Sequence, residues 1–413
     1  MADIPDTTPR APLKPLDAAL AELLAHALLL FPAEYVSTFD ADGRVLAQDL
    51  MASLDVPAHD NSAMDGYAVR CADWKNAATA FDVNQRIAAG STGDVLGAGC
   101  AARIFTGAPV PEGADAIVMQ EDCVVDGSQL RLQTQPKLGQ WIRRRGEDVL
   151  SGTAALRKGE RIAPASLGLA ASIGFDQLLV APRVRVALFS TGDELVMPGD
   201  VAPVDMKPGA IYNSNRFFLR ALLHRLGCVV TDMGIVPDKL DATIAALKTA
   251  SIAHDLVLTS GGVSVGEEDH IKPAVQTLGQ LNLWQIAIKP GKPFACGKIQ
   301  TAHFIGLPGN PVSSFVTFLL LVRPFIRKLQ GATRIAPDSI AAYAHFNWPE
   351  DDKRREFLRV RRNLAGGLDL FDNQSSGVLT SAVWADGLVD NPAGTAIAHG
   401  DTVRFIPFSS LMS

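Results

Sequence analysis

The sequence predicts a chain of several units, with a central α/β unit of mostly parallel sheet flanked by β-rich units. Its 413 residues exceed what one hydrophobic core usually covers, so roughly two to four domains are expected. Strand and helix patterns alternate from Pro182 to residue 330, which is typical of βαβ units with right-handed crossovers. Short strand patterns separated by glycine and proline fill residues 70–145 and recur after Gly331, as in small β domains.

Composition narrows the class of protein. A hydrophobic content of 47% with 20% charged residues is ordinary for a soluble globular protein, and a formal charge of −6 argues against a nucleic-acid partner. The 5 cysteines include no CxxC pair, which predicts reduced thiols in the cytoplasm. No secretory signal is expected at the N-terminus, and the apolar stretch 315–322 is far shorter than the ~20 residues of a membrane span.

The N-terminal elements begin with a proline-rich leader. Apolar residues then recur at helical spacing from Leu16 to Leu28, so we predict an amphipathic helix that packs on its own domain or on a second subunit. Residues 49–69 follow, and they are dense in small polar groups that include Asp60. Such a cluster is typical of turns, but it also suits a ligand loop.

The β-rich stretch predicts strands at 81–83, 102–105, 116–119 and 129–132. Thr106 and Gly107 follow one of them and offer a hydroxyl and a backbone amide; a proline-braced turn is the alternative. Residues 143–148 place arginines directly before acids, and we predict a solvated loop with local ion pairs. A short helix is expected over 163–171.

The α/β stretch supplies helix signals between its strands. Asn213, Ser214 and Asn215 are predicted to cap a helix that carries Leu219 and Leu223 on one face. Later, Asn310 is a good N-cap and Pro311 a good first helical residue. Strands are expected at 184–190 and 256–258.

The stretch 255–270 organises this unit. The apolar run 256–258 predicts a buried strand, glycines 261 and 262 allow close backbone approach, and a helix start is expected at Asp269. Backbone N–H groups and a helix N-terminus favour an anion, whereas the acids at 267–269 repel one. A divalent metal would resolve that conflict.

Several loops should meet at one edge of the sheet. Residues 191–194, 237–238, 260–269 and 307–311 all follow strands, so they should gather at the carboxyl edge where open α/β folds bind ligands. A solvated acidic rim is the alternative, but a metal site is favoured. The acids brought to that rim are Asp193, Glu194, Asp238, Glu267, Glu268 and Asp269.

A stiff turn over 289–293 holds Lys289 and Lys292 near each other, and lysine suits phosphate; a surface hairpin tip is the alternative. After Gly331, strands are predicted at 356–360 and 403–406, with a polar loop at 374–377.

The order of these pieces resembles the MoeA-type molybdopterin molybdenumtransferases and the C-terminal domain of gephyrin. With Arg355 and its two neighbours, the resemblance covers nearly the whole chain. The motifs that carry it are DNSAMDGYAV at 60–69, IFTGA at 104–108, RGED at 145–148, STGDEL at 190–195, GGVSVG at 261–266, KPGKP at 289–293 and GLPGNP at 306–311.

The resemblance implies a homodimer of four-domain subunits with an active site shared between subunits. It implies a discontinuous N-terminal dimerisation domain over 1–48 and 142–180 and a small β-rich domain over 49–141. A molybdopterin-binding α/β domain over 181–330 and a C-terminal β domain over 331–413 follow. The implied reaction is Mg²⁺-dependent insertion of molybdate into adenylylated molybdopterin with release of AMP. Molybdopterin adenylyltransferase and recipient molybdoenzymes are the implied protein partners.

The resemblance also implies roles for residues at matching positions. The implied catalytic residues are Asp60, Thr106, Glu194, Asp238 and Asp269, of which Glu194 and Asp269 would hold the metal. The implied substrate-binding residues are Gly261, Gly262, Ser264, Gly266, Lys289, Lys292, Pro308, Pro311, Asp148, Arg355 and Ser376.

Other functions stay open at this point. A molybdopterin adenylyltransferase on a related α/β fold would use the same glycine turn but would need a nucleoside triphosphate. The additional N- and C-terminal domains argue against it. A gephyrin-like scaffold would cluster partners, but this chain has no fused second enzyme and no long linker.

Overall fold

The computed structural model describes residues 13–262, 270–349 and 352–412. The first packed unit combines two separate stretches of the chain. Strand Glu34–Ser37 pairs antiparallel with Gln177–Val180, and Leu50–Met51 pairs with Ala154–Leu156. Apolar side chains from both stretches share one core with helix Pro164–Ser172. This unit is therefore discontinuous in sequence, while the predicted domain boundaries stay predictions.

The β-rich unit is one sheet with two covered faces. Neighbouring residues Ala68 and Val69, and likewise Ala101 and Ala102, belong to different apolar clusters because successive side chains of a strand point to opposite faces. The pair Asn61–Ser62 and Ile142–Arg143 joins this unit to the first. In sheet order its strands are Ala116–Met119, Gly66–Val69, Cys100–Ile104, Ala80–Ile87, Gln129–Leu132 and Cys123–Asp126.

The central unit has a mostly parallel sheet, as predicted. The first four strands in sheet order are mutually parallel, and the last two extend one edge, each paired antiparallel with the strand before it in sheet order. A small parallel pair, Leu195–Val196 with Ile211–Tyr212, lies outside the sheet. In sheet order the strands are Val229–Val236, Arg185–Thr191, Leu256–Ser260, Ala302–Leu307, Pro293–Ile299 and Gly279–Gln285.

Helices cover both faces of this sheet. Leu240–Ala253 and Ile271–Leu278 pack on one face, and the remaining helices of the unit pack on the other. None of the helices in the described ranges combines the length and the apolar character that crossing a membrane requires. The helices on the second face are Leu16–Ala25, Asn215–Arg225, Pro311–Thr317 and Arg323–Leu329, with the π-helical turn Phe318–Val322 between the last two.

The first of these helices has an unexpected partner. The stripe predicted from Leu16 is apolar as expected, but Leu16, Ala19 and Leu23 enter the core of the central unit with Phe325 and Leu329. The helix thus lies on the central unit and not on the first unit that follows it in sequence. The periodicity shows that one face is buried, but it does not show which surface covers that face.

The C-terminal unit is a small closed barrel. Strand Arg355–Arg362 pairs with both Gly367–Leu370 and Gly387–Asn391, and the ring closes through Thr402–Pro407 and Ile340–Ala344. The fold class predicted from the sequence, an α/β and β multidomain chain, is therefore confirmed. Helices Leu379–Trp384 and Phe408–Leu411 follow strands of the barrel, and the short strand Ile288–Lys289 pairs with Arg355–Arg362. Elsewhere in the chain, 3-10 turns occur at Thr38–Asp40, Cys71–Asp73, Gln120–Asp122 and Pro203–Asp205.

Candidate active site

A cavity of about 780 Å³ opens at the carboxyl ends of the parallel strands. The loops that follow these strands supply much of its lining, at the edge where open α/β sheets bind ligands. The structure thus brings together segments that are far apart in sequence. Of the predicted site residues, the cavity is lined by Glu194, Asp238, Gly261, Gly262, Pro308 and Pro311.

A glycine turn forms one wall of the cavity. The backbone N–H of Gly261 donates to the Leu307 carbonyl at 3.1 Å, which holds the turn against the next strand. Gly261 has φ +92°, and a Cβ there would lie 2.9 Å from the Thr191 carbonyl oxygen. Gly262 also has a positive φ, +67°. The turn therefore needs glycine both for its conformation and for its close approach to the neighbouring loop.

Asn215 ties two of the loops together. Its Nδ2 donates to Ser260 Oγ and to the Gly309 carbonyl, each at 2.7 Å, and the side chain is buried. Of the three residues 213–215 that were predicted to cap the helix, Asn213 does so, because its Oδ1 accepts from the Arg216 backbone N–H at 3.3 Å. Ser214 is the N-cap of helix Asn215–Arg225 and makes no side-chain cap bond, while Asn215 is directed to the loops.

We predict that Asn215→Asp lowers the free energy of unfolding by roughly 1–3 kcal/mol, because a carboxylate cannot donate to the buried Gly309 carbonyl and would repel it. Denaturant unfolding measures the change. Asn282→Asp, at an exposed position, serves as the matched control. Equal stability of the two variants would contradict the bridging role.

Two of the residues that line the cavity, Glu194 and Asp238, carry carboxylates. Neither Glu194 nor Asp238 forms an ion pair with a lysine or arginine among the described residues. Glu194 is exposed and its carboxylate folds over Gly192, where a Cβ would lie 2.5 Å from Oε2. The backbone N–H of Asp238 donates to Asp193 Oδ1 at 3.3 Å, which links the two acidic loops.

A helix start and a loop of the barrel meet at the opposite wall. Pro311 is the first residue of its helix, as predicted, whereas the Asn310 side chain makes no cap hydrogen bond. The backbone N–H of Val312 donates to the Ser376 carbonyl at 2.9 Å, and Gly377 lines the cavity. The predicted residue Ser376 thus contacts the helix start through its main chain.

The lysine turn joins the central unit to the barrel. Strand Ile288–Lys289 pairs with Arg355 and Glu356, so the turn is not the tip of an isolated hairpin. Lys289 Nζ lies 3.2 Å from Oε1 of Glu356, which is only 1% exposed. Lys292, in contrast, is exposed and forms no ion pair among the described residues. Of the two lysines, Lys292 is the one available to a ligand.

Arg355 lies at another cavity, of about 740 Å³, between the first helix and the barrel. Its Nε and Nη2 donate to the two oxygens of Asp390 at 2.5 and 2.6 Å, and Nη1 donates to Asp17 at 3.0 Å. Burial and this bidentate pair hold the guanidinium in place, and the Asp390 carboxylate raises the pKa of Arg355 above its usual value. In this chain Arg355 is not part of the main cavity.

A second polar group forms around Asp60. Arg144 Nη1 donates to Asp60 Oδ2 at 2.6 Å and the backbone N–H of Arg145 donates to Oδ1 at 2.8 Å. The Arg145 N–H, followed by the Arg144 guanidinium, lowers the pKa of Asp60. The arginines of this loop do form ion pairs, but with the distant acids Asp60 and Asp55 and not with the acids that follow them at 147 and 148.

Thr106 forms another polar contact of the β-rich unit. Its backbone N–H and its hydroxyl both donate to Asp65 Oδ1 at 2.8 Å, and these two bonds lower the pKa of Asp65. Asp148, which follows Arg145 closely in the sequence, is exposed. Asp60, Thr106 and Asp148 are not among the described residues that line the main cavity.

Part of the predicted site lies outside the residues that the structure describes: Ser264, Gly266 and Asp269, with Glu267 and Glu268. Within 13–262, 270–349 and 352–412, no group of three or more His, Cys, Asp or Glu side chains is placed to hold a metal ion. Of the predicted metal ligands, Glu194 alone falls in these ranges.

Sequence reasoning missed Asn213 and Tyr212 as residues that line the cavity. Asn213 is 2% exposed, and its Nδ2 has no partner among the described residues. The only available signal was the run 211–215, a polar cluster that capping explained equally well. Arg144 as the partner of Asp60 was also missed, because its contact spans 84 residues of sequence.

Comparisons with known proteins indicate one family over nearly the whole chain. Family models match as the MoeA N-terminal region (domain I and II) over residues 14–174, a probable molybdopterin binding domain over 187–328 and the MoeA C-terminal region (domain IV) over 341–408. A molybdopterin molybdenumtransferase of Haemophilus influenzae is 42% identical over 406 residues, covering 96% of this chain and 99% of the relative. One from Nostoc sp. is 35% identical, with 90% and 87% covered. Among solved structures, a molybdopterin biosynthesis MoeA protein from Pyrococcus horikoshii OT3 has a TM-score of 0.83 at 27% identity, covering 96% of this chain and 100% of that one.

Proposed function

The chain belongs to the MoeA family of molybdopterin molybdenumtransferases, and we propose that it inserts molybdate into adenylylated molybdopterin in a Mg²⁺-dependent reaction that releases AMP. The family places the chain in molybdenum cofactor biosynthesis. The finer proposal rests on one observation: Glu194 and Asp238, which form no ion pair among the described residues, line the same cavity as the glycine turn.

Two carboxylates beside a glycine turn suit an anionic ligand that carries a bound cation. Two unit negative charges about 4 Å apart repel by ~1 kcal/mol in water and by ~4 kcal/mol at protein-like screening. The carboxylates would therefore reject a bare phosphate, while the glycine turn offers backbone donors that favour one. A hard divalent cation between them removes the conflict.

The donor set at this rim fits magnesium. Carboxylate oxygens are its preferred protein ligands, and no lysine or arginine among the described residues neutralises Glu194 or Asp238. Glu194 would hold the ion together with Asp269. A bound Mg²⁺ would supply charge neutralisation and polarise the phosphoanhydride.

The other residues bind and orient the substrate. The turn at 260–262 holds the phosphate end, and its position is fixed by Asn215 and by the Gly261 bond to Leu307. Lys292 would contribute a compact positive charge to substrate binding. Asp60 and Thr106 orient the incoming oxyanion.

A homodimer would bring these groups together. Asp60 and Thr106 are not among the described residues that line the main cavity, yet the resemblance of their motifs to the family implies a role in the reaction for both. We therefore propose that each site combines the cavity of one subunit with the Asp60 loop of its partner. An isologous two-fold dimer would contain two such sites.

Lys292→Ala should weaken the binding of adenylylated molybdopterin by roughly tenfold, because one charge-assisted contact is lost. Isothermal titration calorimetry measures the dissociation constant. Lys298→Ala removes another exposed lysine, near the far end of strand Pro293–Ile299, and should leave that constant unchanged. If Lys292→Ala binds adenylylated molybdopterin as tightly as the wild type does, the lysine turn only connects the central unit to the barrel and does not bind the substrate.

One assay separates the proposed reaction from the alternatives. The protein is incubated with ATP and molybdopterin, and separately with adenylylated molybdopterin, molybdate and Mg²⁺. AMP release and molybdenum cofactor in the second mixture alone support the proposal. Turnover in the first mixture would indicate an adenylyltransferase, and turnover in neither would favour a scaffold.

The setting of the reaction is also a proposal. We place it in the cytoplasm, where the free cysteines Cys71, Cys100, Cys123, Cys228 and Cys296 would stay reduced. Molybdopterin adenylyltransferase, as the source of substrate, and recipient molybdoenzymes are the proposed protein partners.

A further inference from the structure

Tyr212 carries the one aromatic side chain among the described residues that line the main cavity. Its hydroxyl donates to the Val201 carbonyl at 2.7 Å, so the polar end of the side chain already has a partner. The residue is half-buried and therefore keeps some accessible surface. What its side chain can still offer a ligand in this cavity is the face of the ring.

The backbone fixes Tyr212 beside the acidic loop. The N–H of Ile211 donates to the Glu194 carbonyl at 2.8 Å. The N–H of Asn213 donates to the Val196 carbonyl at 2.9 Å, and both bonds extend the short parallel strand pair outside the central sheet. Tyr212 is thus tied on both sides to the segment that begins at Glu194, which is the proposed metal ligand.

Asn213, the next residue, brings a polar group to the same cavity lining. Its Oδ1 accepts from the Arg216 backbone N–H at 3.3 Å, which fixes the orientation of the amide. The other end of the amide, Nδ2, is buried and has no hydrogen-bond partner among the described residues. Because an unpaired buried donor is costly, this group favours a ligand that brings an acceptor.

An aromatic face and an amide donor suit a planar, nitrogen-containing ring. Aromatic side chains stack on such rings, and polar atoms at the ring edges accept hydrogen bonds from amides. The proposed substrate has two rings of this kind, the pterin and the adenine of its adenylate. Both rings are joined to the phosphates that the glycine turn would hold in the same cavity.

We propose that Tyr212 stacks on one planar nitrogen-containing ring of the substrate, and that Asn213 Nδ2 donates to an acceptor of the same ligand. This inference rests on the proposed function, because both rings belong to adenylylated molybdopterin. It adds recognition of a ring to the contacts that the cavity makes with phosphate and cation. A ligand without such a ring lacks the stacking contact and should bind more weakly.

The test is isothermal titration calorimetry of the full chain with Mg²⁺ and without molybdate. AMP and molybdopterin carry the two rings, and ribose 5-phosphate is AMP without its base. Tyr212→Leu should bind AMP, or molybdopterin if the pterin is the stacked ring, roughly tenfold more weakly than the wild type does. Its affinity for ribose 5-phosphate should stay unchanged. Tyr212→Phe keeps the ring and should bind as the wild type does, as should Tyr343→Leu, which removes an exposed tyrosine of the C-terminal barrel.

A second pair of variants tests the amide. Asn213→Asp keeps the oxygen that accepts from Arg216 and removes the Nδ2 donor, so it should bind the ring-bearing ligand roughly tenfold more weakly. Asn310→Asp adds the same charge at an exposed position of the same cavity without removing a buried donor, and it measures the effect of charge alone. Equal losses in the two variants would remove Asn213 from the site.

Three results would overturn the stacking contact: an unchanged affinity of Tyr212→Leu for both AMP and molybdopterin, an equal loss of affinity for ribose 5-phosphate, or a Tyr212→Phe variant that binds as weakly as Tyr212→Leu. The melting temperature of each variant shows that it is folded. Because these titrations measure binding without turnover, the stacking contact and the proposed release of AMP can be disproved separately.

Discussion

Glu194→Gln should lower the rate of AMP release by more than ~100-fold while leaving the melting temperature unchanged. Losing a residue that only supports a metal ligand typically costs about 10- to 100-fold, so losing the charge of a direct ligand should cost more. The fold should tolerate the change because Glu194 is exposed and makes no ion pair among the described residues. Glutamine keeps the size of the side chain and removes only the charge that would hold the cation.

The matched control is Asp200→Asn, which removes an exposed carboxylate a few residues away that does not line the cavity. It should keep the wild-type rate. Initial rates are measured over a range of Mg²⁺ concentrations, since a weakened metal site should recover partly at high Mg²⁺. Wild-type turnover in Glu194→Gln would remove this residue from the mechanism.

Gly261→Ala should lower both stability and turnover. Its φ of +92° is strained for alanine, and the new Cβ would meet the Thr191 carbonyl at 2.9 Å. Such strain costs about 1–3 kcal/mol. The turn must shift to relieve it, and a displacement of about 1 Å at a reacting centre can cost on the order of 100-fold in rate.

Gly309→Ala is the control for this substitution. Gly309 lies in the facing loop of the same cavity, but its φ is not positive and a Cβ would come no closer than 3.9 Å to Gly261 Cα. Its melting temperature should match the wild type. If Gly261→Ala were equally stable, the conformational requirement at the turn would be disproved.

The position of the site could be predicted because its cause is topological. Residues 256–258 form an apolar run that only a buried strand or helix explains, and the glycines that follow end it. Once such strands are parallel, the loops after them must share one edge, whatever the side chains are. Glu194 and Asp238 were therefore placed at one cavity from local patterns alone.

Contacts between distant segments could not be predicted in the same way. The amide of Asn215 suits a helix cap equally well, and only the folded chain shows that it reaches Ser260 and Gly309. The C-terminal barrel closes because strand Arg355–Arg362 pairs with both Gly367–Leu370 and Gly387–Asn391. An alternation of apolar residues predicts a strand, but it does not specify which strands pair with it.

The most direct test of the shared, metal-dependent site is complementation between two inactive variants. Asp60→Asn and Glu194→Gln are purified separately, mixed, allowed to exchange subunits, and assayed for AMP release with adenylylated molybdopterin, molybdate and Mg²⁺. A mixed dimer would have one intact site, made from the Glu194 cavity of one chain and the Asp60 loop of the other. Because about half the dimers are mixed and one of their two sites is intact, we expect about one quarter of wild-type turnover. If exchange is verified and no activity returns, Asp60 and Glu194 do not serve one site across two subunits, and the shared site is disproved.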